Sequence, residues 1–345
     1  MASVEETHLN VEVAPSGAEH LTYRVVVPRA WPLSASFGPT PEGMLETRGL
    51  GFFASANQAT APVISTTATN VPYEIPLDAW ARLVFEREGY EVVAASWFPG
   101  PNGLFYDITG ARPLHEDTFE LRRSAVRVQG NEIICLNCMC SRDEWDYAKQ
   151  VFWVAMISFQ LIHAKPSRME PWLRGAAEDA PAFELAHPAT WTSEPVEDPP
   201  EGVSALDIRL PGQDEKLLGY CQVRAERLGS APAPSLEQLD ASALVRLKNS
   251  GFEPAPGEPA KRLTEDNDAR AASVKGWLGG FSSDGTILGG EVTSRRGFIV
   301  RDGVVYAFAM LSPRMKNNPL VALRTLRVFE IARATLTALA DSSKG

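Results

Sequence analysis

LTYRVVVPRAW, residues 21–31, and PAFELAHPATW, residues 181–191, decide the fold. Each alternates apolar and polar side chains, reaches a proline (Pro28, Pro188) and meets a tryptophan three residues later (Trp31, Trp191). Alternation with period two marks a strand with one buried face. The same stretch met twice in 345 residues predicts a duplicated domain, and a chain of this length ordinarily holds two.

The order of elements outward from each stretch repeats too. A second strand carries LGFFASA (Leu50–Ala56) in the first copy and LGYCQVRAE (Leu218–Glu226) in the second. A loop rich in Pro, Ser, Thr and Ala follows, then a helix: Pro76–Tyr90 and Ser235–Phe252. Leu77, Trp80, Leu83 and Val84 recur at helical spacing and form one apolar stripe. Asp78 and Ser235 suit helix starts, and Gly89 and Gly251 suit helix ends because glycine adopts the left-handed conformation without steric penalty. Three strands then follow in each copy: 103–111, 117–129 and 132–140; 273–283, 286–303 and 304–312. Tight turns at Gly130 and at Asp302-Gly303 join the last two. Long apolar helices, Trp145–Ile162 and Leu320–Leu339, close the copies. The expected domains are residues 1–165 and 181–345. Residues 1–19 are expected to be a flexible tail and 166–180 a linker, within the Pro- and Gly-containing stretch His163–Pro181.

The composition is that of ordinary globular protein, 44% hydrophobic and 22% charged. A net charge of −10 weighs against nucleic acid as a partner. The N-terminus carries no basic, apolar leader, so a cytoplasmic location is expected. The most apolar run, Val151–Ile162, falls short of the ~20 residues that span a bilayer, so no membrane insertion is expected.

The strand–strand–helix–strands–helix order, opened by Tyr23…Pro28…Trp31 and by Phe183…Pro188…Trp191, resembles the PsbP-like (Mog-type) α/β/α sandwich. The resemblance implies an α+β fold: two tandem sandwiches, each an antiparallel sheet with flanking helices. Within that fold the chain is similar to the Eag chaperone-adaptors of type VI secretion. That likeness implies a protein partner, the apolar, transmembrane-like segment of a secreted effector, and no cofactor. The fused copies would then form a monomeric pseudo-dimer, or the chain a homodimer. The other reading is a structural or assembly protein whose paired domains bind another globular subunit.

No catalytic constellation stands out, so an enzyme is not expected. The five histidines fall in the tail, loops or linker, and neither a nucleophile elbow nor a phosphate loop is present. Isolated carboxylates such as Asp107 and Asp284 are common in unrelated proteins. Cys135, Cys138 and Cys140 have the spacing of a metal knuckle, but Cys221 is the sole other thiol. On a strand Cys138 and Cys140 share one face and Cys135 takes the other. They read as buried structural thiols, with no metal expected. Arg122, Arg123, Arg127, Arg295 and Arg296 sit on matching strands and offer a cationic patch or a solvated face.

The closing strands are apolar on nearly every position, so both faces need cover. Small residues allow close helix approach, which assigns Ala307 and Ala309 to a helix. Tyr306, Phe308 and Met310 then face away. Counting from Gly130 and Gly303 aligns them with Ile133, Cys135 and Asn137. The expected partner-binding set is Ile133, Cys135, Asn137, Met139, Tyr306, Phe308 and Met310, since methionine and aromatic side chains suit adaptable apolar recognition.

Overall fold

The computed structural model describes residues 7–16, 18–34, 46–54, 62–115, 118–165, 168–212, 217–229, 234–257, 259–263 and 274–339. The strand ends expected at Ser55–Ala56, Asp117 and Ser273 lie outside these residues, as do 1–6 and 17 of the N-terminal stretch. The chain divides into two compact units, Met1–Pro72 with Leu77–Glu170, and Tyr73–Pro76 with Pro171–Gly345.

Unit 1 has strands β1 (His8–Val13), β2 (Tyr23–Pro28), β3 (Leu33–Ser34), β4 (Thr47–Ala54) and β5 (Val63–Asn70), then helix α1 (Leu77–Arg87). It continues with β6 (Glu91–Gly100), β7 (Gly103–His115), β8 (Thr118–Gln129) and β9 (Glu132–Ser141). Helix α2 (Trp145–Ser158) and β10 (Gln160–Leu161) complete it. Its main sheet runs β3-β4-β5-β9-β8-β7-β6, and β1-β2-β10 form a small second sheet.

Unit 2 repeats this plan. Its strands β11 (Trp172–Ala177), β12 (Phe183–Pro188), β13 (Thr192–Pro195), β14 (Val203–Pro211) and β15 (Leu217–Arg227) precede α3 (Leu236–Asn249). There follow β16 (Glu253–Pro254), β17 (Lys261–Leu263), β18 (Trp277–Ile287), β19 (Gly290–Arg301) and β20 (Val304–Pro313), then α4 (Pro319–Thr335) and β21 (Thr337–Ala338). The main sheet runs β13-β14-β15-β20-β19-β18-β16, with β17 also paired to β18, and the small sheet is β11-β12-β21. The two strand orders match position for position, and every pairing is antiparallel. The fold is α+β and duplicated.

The motif that announced the repeat has a local cause. The Trp31 amide donates to the Pro28 carbonyl at 2.9 Å, and the Trp191 amide to that of Pro188 at 3.0 Å. A tight turn after each opening strand thus swings the indole into the core, where both tryptophans are buried. Helix ends follow the expected chemistry. Ser235 caps α3 by accepting from the Gln238 amide, and the Gln238 side chain returns the bond to the Ser235 amide, a capping box. Gly89 and Gly251 take φ of +82° and +90°, the left-handed region that ends a helix.

Several sequence expectations need correction. The 1–19 tail contains β1, which is paired along its length with β2. The expected 166–180 linker contains β11, which pairs with β12, so its part from Pro171 onward belongs to unit 2. Leu50–Ala54 belongs to β4, whereas Leu218–Glu226 is β15, the counterpart of β5. The true counterpart of β4 is β14, and β5 was hidden in what read as a Ser/Thr/Ala loop. Threonine favours strands, and ISTTAT (Ile64–Thr69) keeps period-two burial that composition alone concealed. The β18–β19 turn falls at Leu288-Gly289, both at positive φ, and not between residues 283 and 286 as expected.

In each unit one face of the main sheet is sealed. In unit 1, Ile134, Leu136, Cys138 and Cys140 of β9 form one core with Tyr23, Val25 and Trp31 and with Val151, Phe152 and Phe159. In unit 2, Tyr306, Phe308 and Met310 of β20 pack with Phe183, Trp191, Val328 and Phe329. Phe308 meets Phe329 of α4 edge-on at 6.2 Å, and Tyr306 meets Phe183 edge-on at 6.1 Å. The opposite face is only partly covered. Helix α1 packs over β6–β8, and α3 over β18–β20. No helix among the described residues is long and apolar enough to cross a membrane.

Candidate functional site

The strand pairing fixes which residues share a face. Gln129 pairs with Glu132, and Arg301 with Val304, so Glu132 and Val304 are equivalent. Asp302, at φ +52°, therefore takes the place of Gly130, and Gly303 that of Asn131. Alignment on the two glycines slips by one residue, and one residue inverts every side chain of a strand. Tyr306, Phe308 and Met310 correspond to Ile134, Leu136 and Cys138, not to Ile133, Cys135 and Asn137. All three are core residues beneath α4, and the expectation that they face a partner is overturned. The small-residue argument failed too, because α4 rests on the large side chains rather than on the alanines.

Ile133, Cys135, Asn137 and Met139 occupy the short-helix face of unit 1. The first three are buried and Met139 is half-buried. Asn137 Oδ1 accepts from Ser124 Oγ at 2.7 Å and from Arg122 Nη2 at 3.0 Å. Arg122 also lies over the Phe85 ring at 4.7 Å and pairs with Glu88. The cysteines lie as a strand requires, with Cys138 and Cys140 in the core and Cys135 opposite. Burial pushes the thiols of Cys135 and Cys140 up to about 12, and that of Cys221 likewise to about 12, so they stay protonated and unreactive near neutrality. Among the described residues no group of three or more His, Cys, Asp or Glu could hold a metal.

The proposed cationic patch does not form. Arg127 and Arg296 are buried, Arg123 pairs with Asp107 at 2.6 Å, and Arg122 is engaged as above. Arg296 is fully buried, with Nε 2.6 Å and Nη2 3.3 Å from the Asp240 carboxylate of α3 and bonds to Ser294 and Ser283. The isolated carboxylates also have structural partners: Asp107 as stated, and Asp284 with Thr293 at 2.7 Å.

What remains open is the short-helix face of unit 2. Ala307, Ala309 and Leu311 of β20 are half-buried there. Tyr220, Gln222 and Arg224 of β15 stand directly opposite Leu311, Ala309 and Ala307. Between this floor and α3 lies a cleft of about 570 Å³, walled by Ala243 and Leu247 of α3 and bordered by Leu217, Leu218 and Leu288. The volume is within the range of sites that take ligands. A second cleft of about 290 Å³ continues past Ala307 toward Val305, Leu239 and Phe298. Along the β14 side, Asp207 accepts from Tyr220 at 2.7 Å and Gln222 at 2.8 Å and pairs with Arg209 at 2.7 Å. That network raises the Tyr220 phenol, through burial first and the hydrogen bond to Asp207 second. Neither Arg224 nor Arg246 drew attention in the sequence; the strand pairing and the pitch of α3 bring them together across the cleft.

No family model matches the chain, and no curated protein matches it. Among solved structures, cyanobacterial PsbP (CyanoP) from Synechocystis is 13% identical, covering 45% of this chain and 92% of its own, with a TM-score of 0.33. LpqN of Mycobacterium tuberculosis, involved in cell envelope biogenesis, is 14% identical over 46% of this chain and 93% of its own, TM-score 0.31. The type VI secretion immunity protein TplEi of Pseudomonas aeruginosa is 11% identical over 97% of this chain and 99% of its own, TM-score 0.23. At these values the names carry no functional conclusion, and the duplicated fold rests on the strand order itself.

Proposed function

We propose that this chain is a non-catalytic protein-binding protein whose second unit holds an apolar segment of a partner along the short-helix face of its sheet. One observation carries the reading: Ala307, Ala309 and Leu311 stay partly exposed on a strand whose other face is sealed core, beside a cleft of about 570 Å³. Covering such a surface with apolar side chains removes it from water, at about 25 cal/mol per Å². The Gln222 amide oxygen at the margin can accept from stray polar groups of the bound segment, its Nε2 being engaged with Asp207 and Tyr220. The chaperone-adaptor role in type VI secretion is the finer form of the proposal. It rests on the sequence resemblance to the Eag proteins, and the site now assigned to it lies on the alanine face of β20 rather than the aromatic one.

Replacing Ala309 with Leu tests this, because the added atoms occupy the cleft floor without entering the core. The variant is expected to keep the wild-type melting curve and to lose binding of a fluorescent, Leu- and Ala-rich helical peptide. A folded variant that binds this peptide as well as the wild type removes the cleft from the proposal. Capture of a folded effector with no affinity for the apolar peptide would favour the alternative, an assembly protein for a globular subunit.

A further inference from the structure

The two clefts beside α3 share three lining residues: Arg224, Arg246 and Ala307. They are two ends of one groove, and the two arginines stand where the ends meet. The floor from Val305 to Pro313 is about 27 Å long at ~3.4 Å per residue, which is the length of a helix of about 18 residues. The larger end is mainly apolar, with Leu218, Leu247 and Leu311, whereas the smaller mixes Leu239, Val305 and Phe298 with Glu226, Gln238 and Ser242.

The cations at the junction, about 7 Å from the Val305 end of the floor at ~3.4 Å per residue, share one partly exposed carboxylate. Arg224 Nε is buried with no hydrogen-bond partner among the described residues. The nearest carboxylate, Glu226, lies 3.7 Å from Arg224 Nη2, beyond hydrogen-bond range, and is more than half exposed. Arg246 Nη1 has Ser242 Oγ at 3.5 Å, the limit of a hydrogen bond. Burial and then the neighbouring Arg224 charge lower the Arg246 pKa, with the Glu226 carboxylate opposing them in part. The other carboxylates near the groove are engaged: Asp207 by Arg209, Tyr220 and Gln222, and Glu291 by Lys316, Asn317 and Arg314. A guanidinium pair in an apolar groove is the complement of a carboxylate, which it can meet with short, charge-assisted bonds.

We infer that the partner's segment is an apolar helix bearing one Asp or Glu about a quarter of the way from one end, seated between Arg224 and Arg246. The inference rests on the groove reading above and adds the charge. A purely apolar segment would bury two cations that share the single, half-exposed carboxylate of Glu226, whereas a carboxylate placed beside them balances the second charge and fixes the register of the helix in the groove.

Two 18-residue Leu/Ala helical peptides, identical except for Glu or Gln at the fifth position, test the idea by fluorescence anisotropy on the full chain. The Glu peptide is expected to bind roughly tenfold more tightly, the scale of a charge-assisted bond. Arg246→Gln, on a partly exposed helix position, and separately Arg224→Gln should each shrink that preference, while Ala309→Leu should weaken both peptides alike. Equal affinity of the two peptides for the wild type overturns the carboxylate and leaves the groove standing. Failure of both peptides to bind overturns the groove and the carboxylate with it. Tight binding of dodecanoate together with no Glu preference assigns the arginines to a small amphiphile and overturns the inference.

Discussion

Arg122 and Arg296 make the two units instructive to compare. Both project from the strand before the last hairpin onto the short-helix face. Unit 1 reads Arg122, Arg123, Ser124, and unit 2, at the equivalent positions, reads Ser294, Arg295, Arg296. The arginine and the serine have exchanged places two residues apart, one step along the same face. In unit 1 the guanidinium stays beside Asn137, against Phe85 and Glu88. In unit 2 it sits one pleat further along, bound to Asp240 of α3 and to both Ser294 and Ser283. The last strand has changed in step: Cys135 and Asn137 of unit 1 are Ala307 and Ala309 in unit 2. A polar cluster fills the face in one copy, and an open apolar groove runs along it in the other. One fold has thus been kept twice, with one copy's short-helix face closed by hydrogen bonds and the other's left open beside α3.

Breaking each arginine tests the contrast most strongly. Arg296→Ala leaves the Asp240 carboxylate unpaired in a buried site and is expected to cost about 3–5 kcal/mol, read in urea unfolding. Arg122→Ala is expected to cost less, because its Glu88 partner is 38% exposed and water replaces part of the lost contact. Equal losses would mean that the two networks contribute alike and that the contrast is only geometric. Asn137→Ala, which installs the unit 2 residue in unit 1, is expected to cost about 1–3 kcal/mol by stranding Arg122 and Ser124. A stability change near zero would show that the polar cluster does not hold the closed face. The smallest effect is expected from Ser235→Ala. It removes the capping box of α3, the wall of the groove, and should lower stability by about 1 kcal/mol. Peptide affinity should fall with it if α3 must be ordered to bind, and unchanged affinity would assign binding to the sheet alone.

Much of the scaffold was legible in the sequence because its signals are local. The Pro-x-x-Trp turn, the helix-ending glycines and the Ser235 cap each involve residues within a few positions of one another. So does the alternation that placed Cys138 and Cys140 opposite Cys135. The strands that escaped notice are informative: β1 lay in a polar tail, β11 in a presumed linker, β5 in a Thr-rich loop. β5 pairs with β9, distant in sequence, while β1 and β11 pair with the next strand but expose most of their side chains, so the residues of all three carry a weak apolar pattern.

The sequence by itself determined that this chain is a duplicated α+β protein, since backbone propensity, turn chemistry and period-two burial are written in neighbouring residues. Only the tertiary structure decided which face of the last strand is core and which is open. Both faces of β9 and β20 are apolar, so composition cannot tell them apart, and a one-residue slip in matching the two turns by their glycines inverts the assignment. The choice is made by pairing: Glu132 against Gln129, Val304 against Arg301, and the long helix seated on the large side chains because they, and not the alanines, fill the space beneath it.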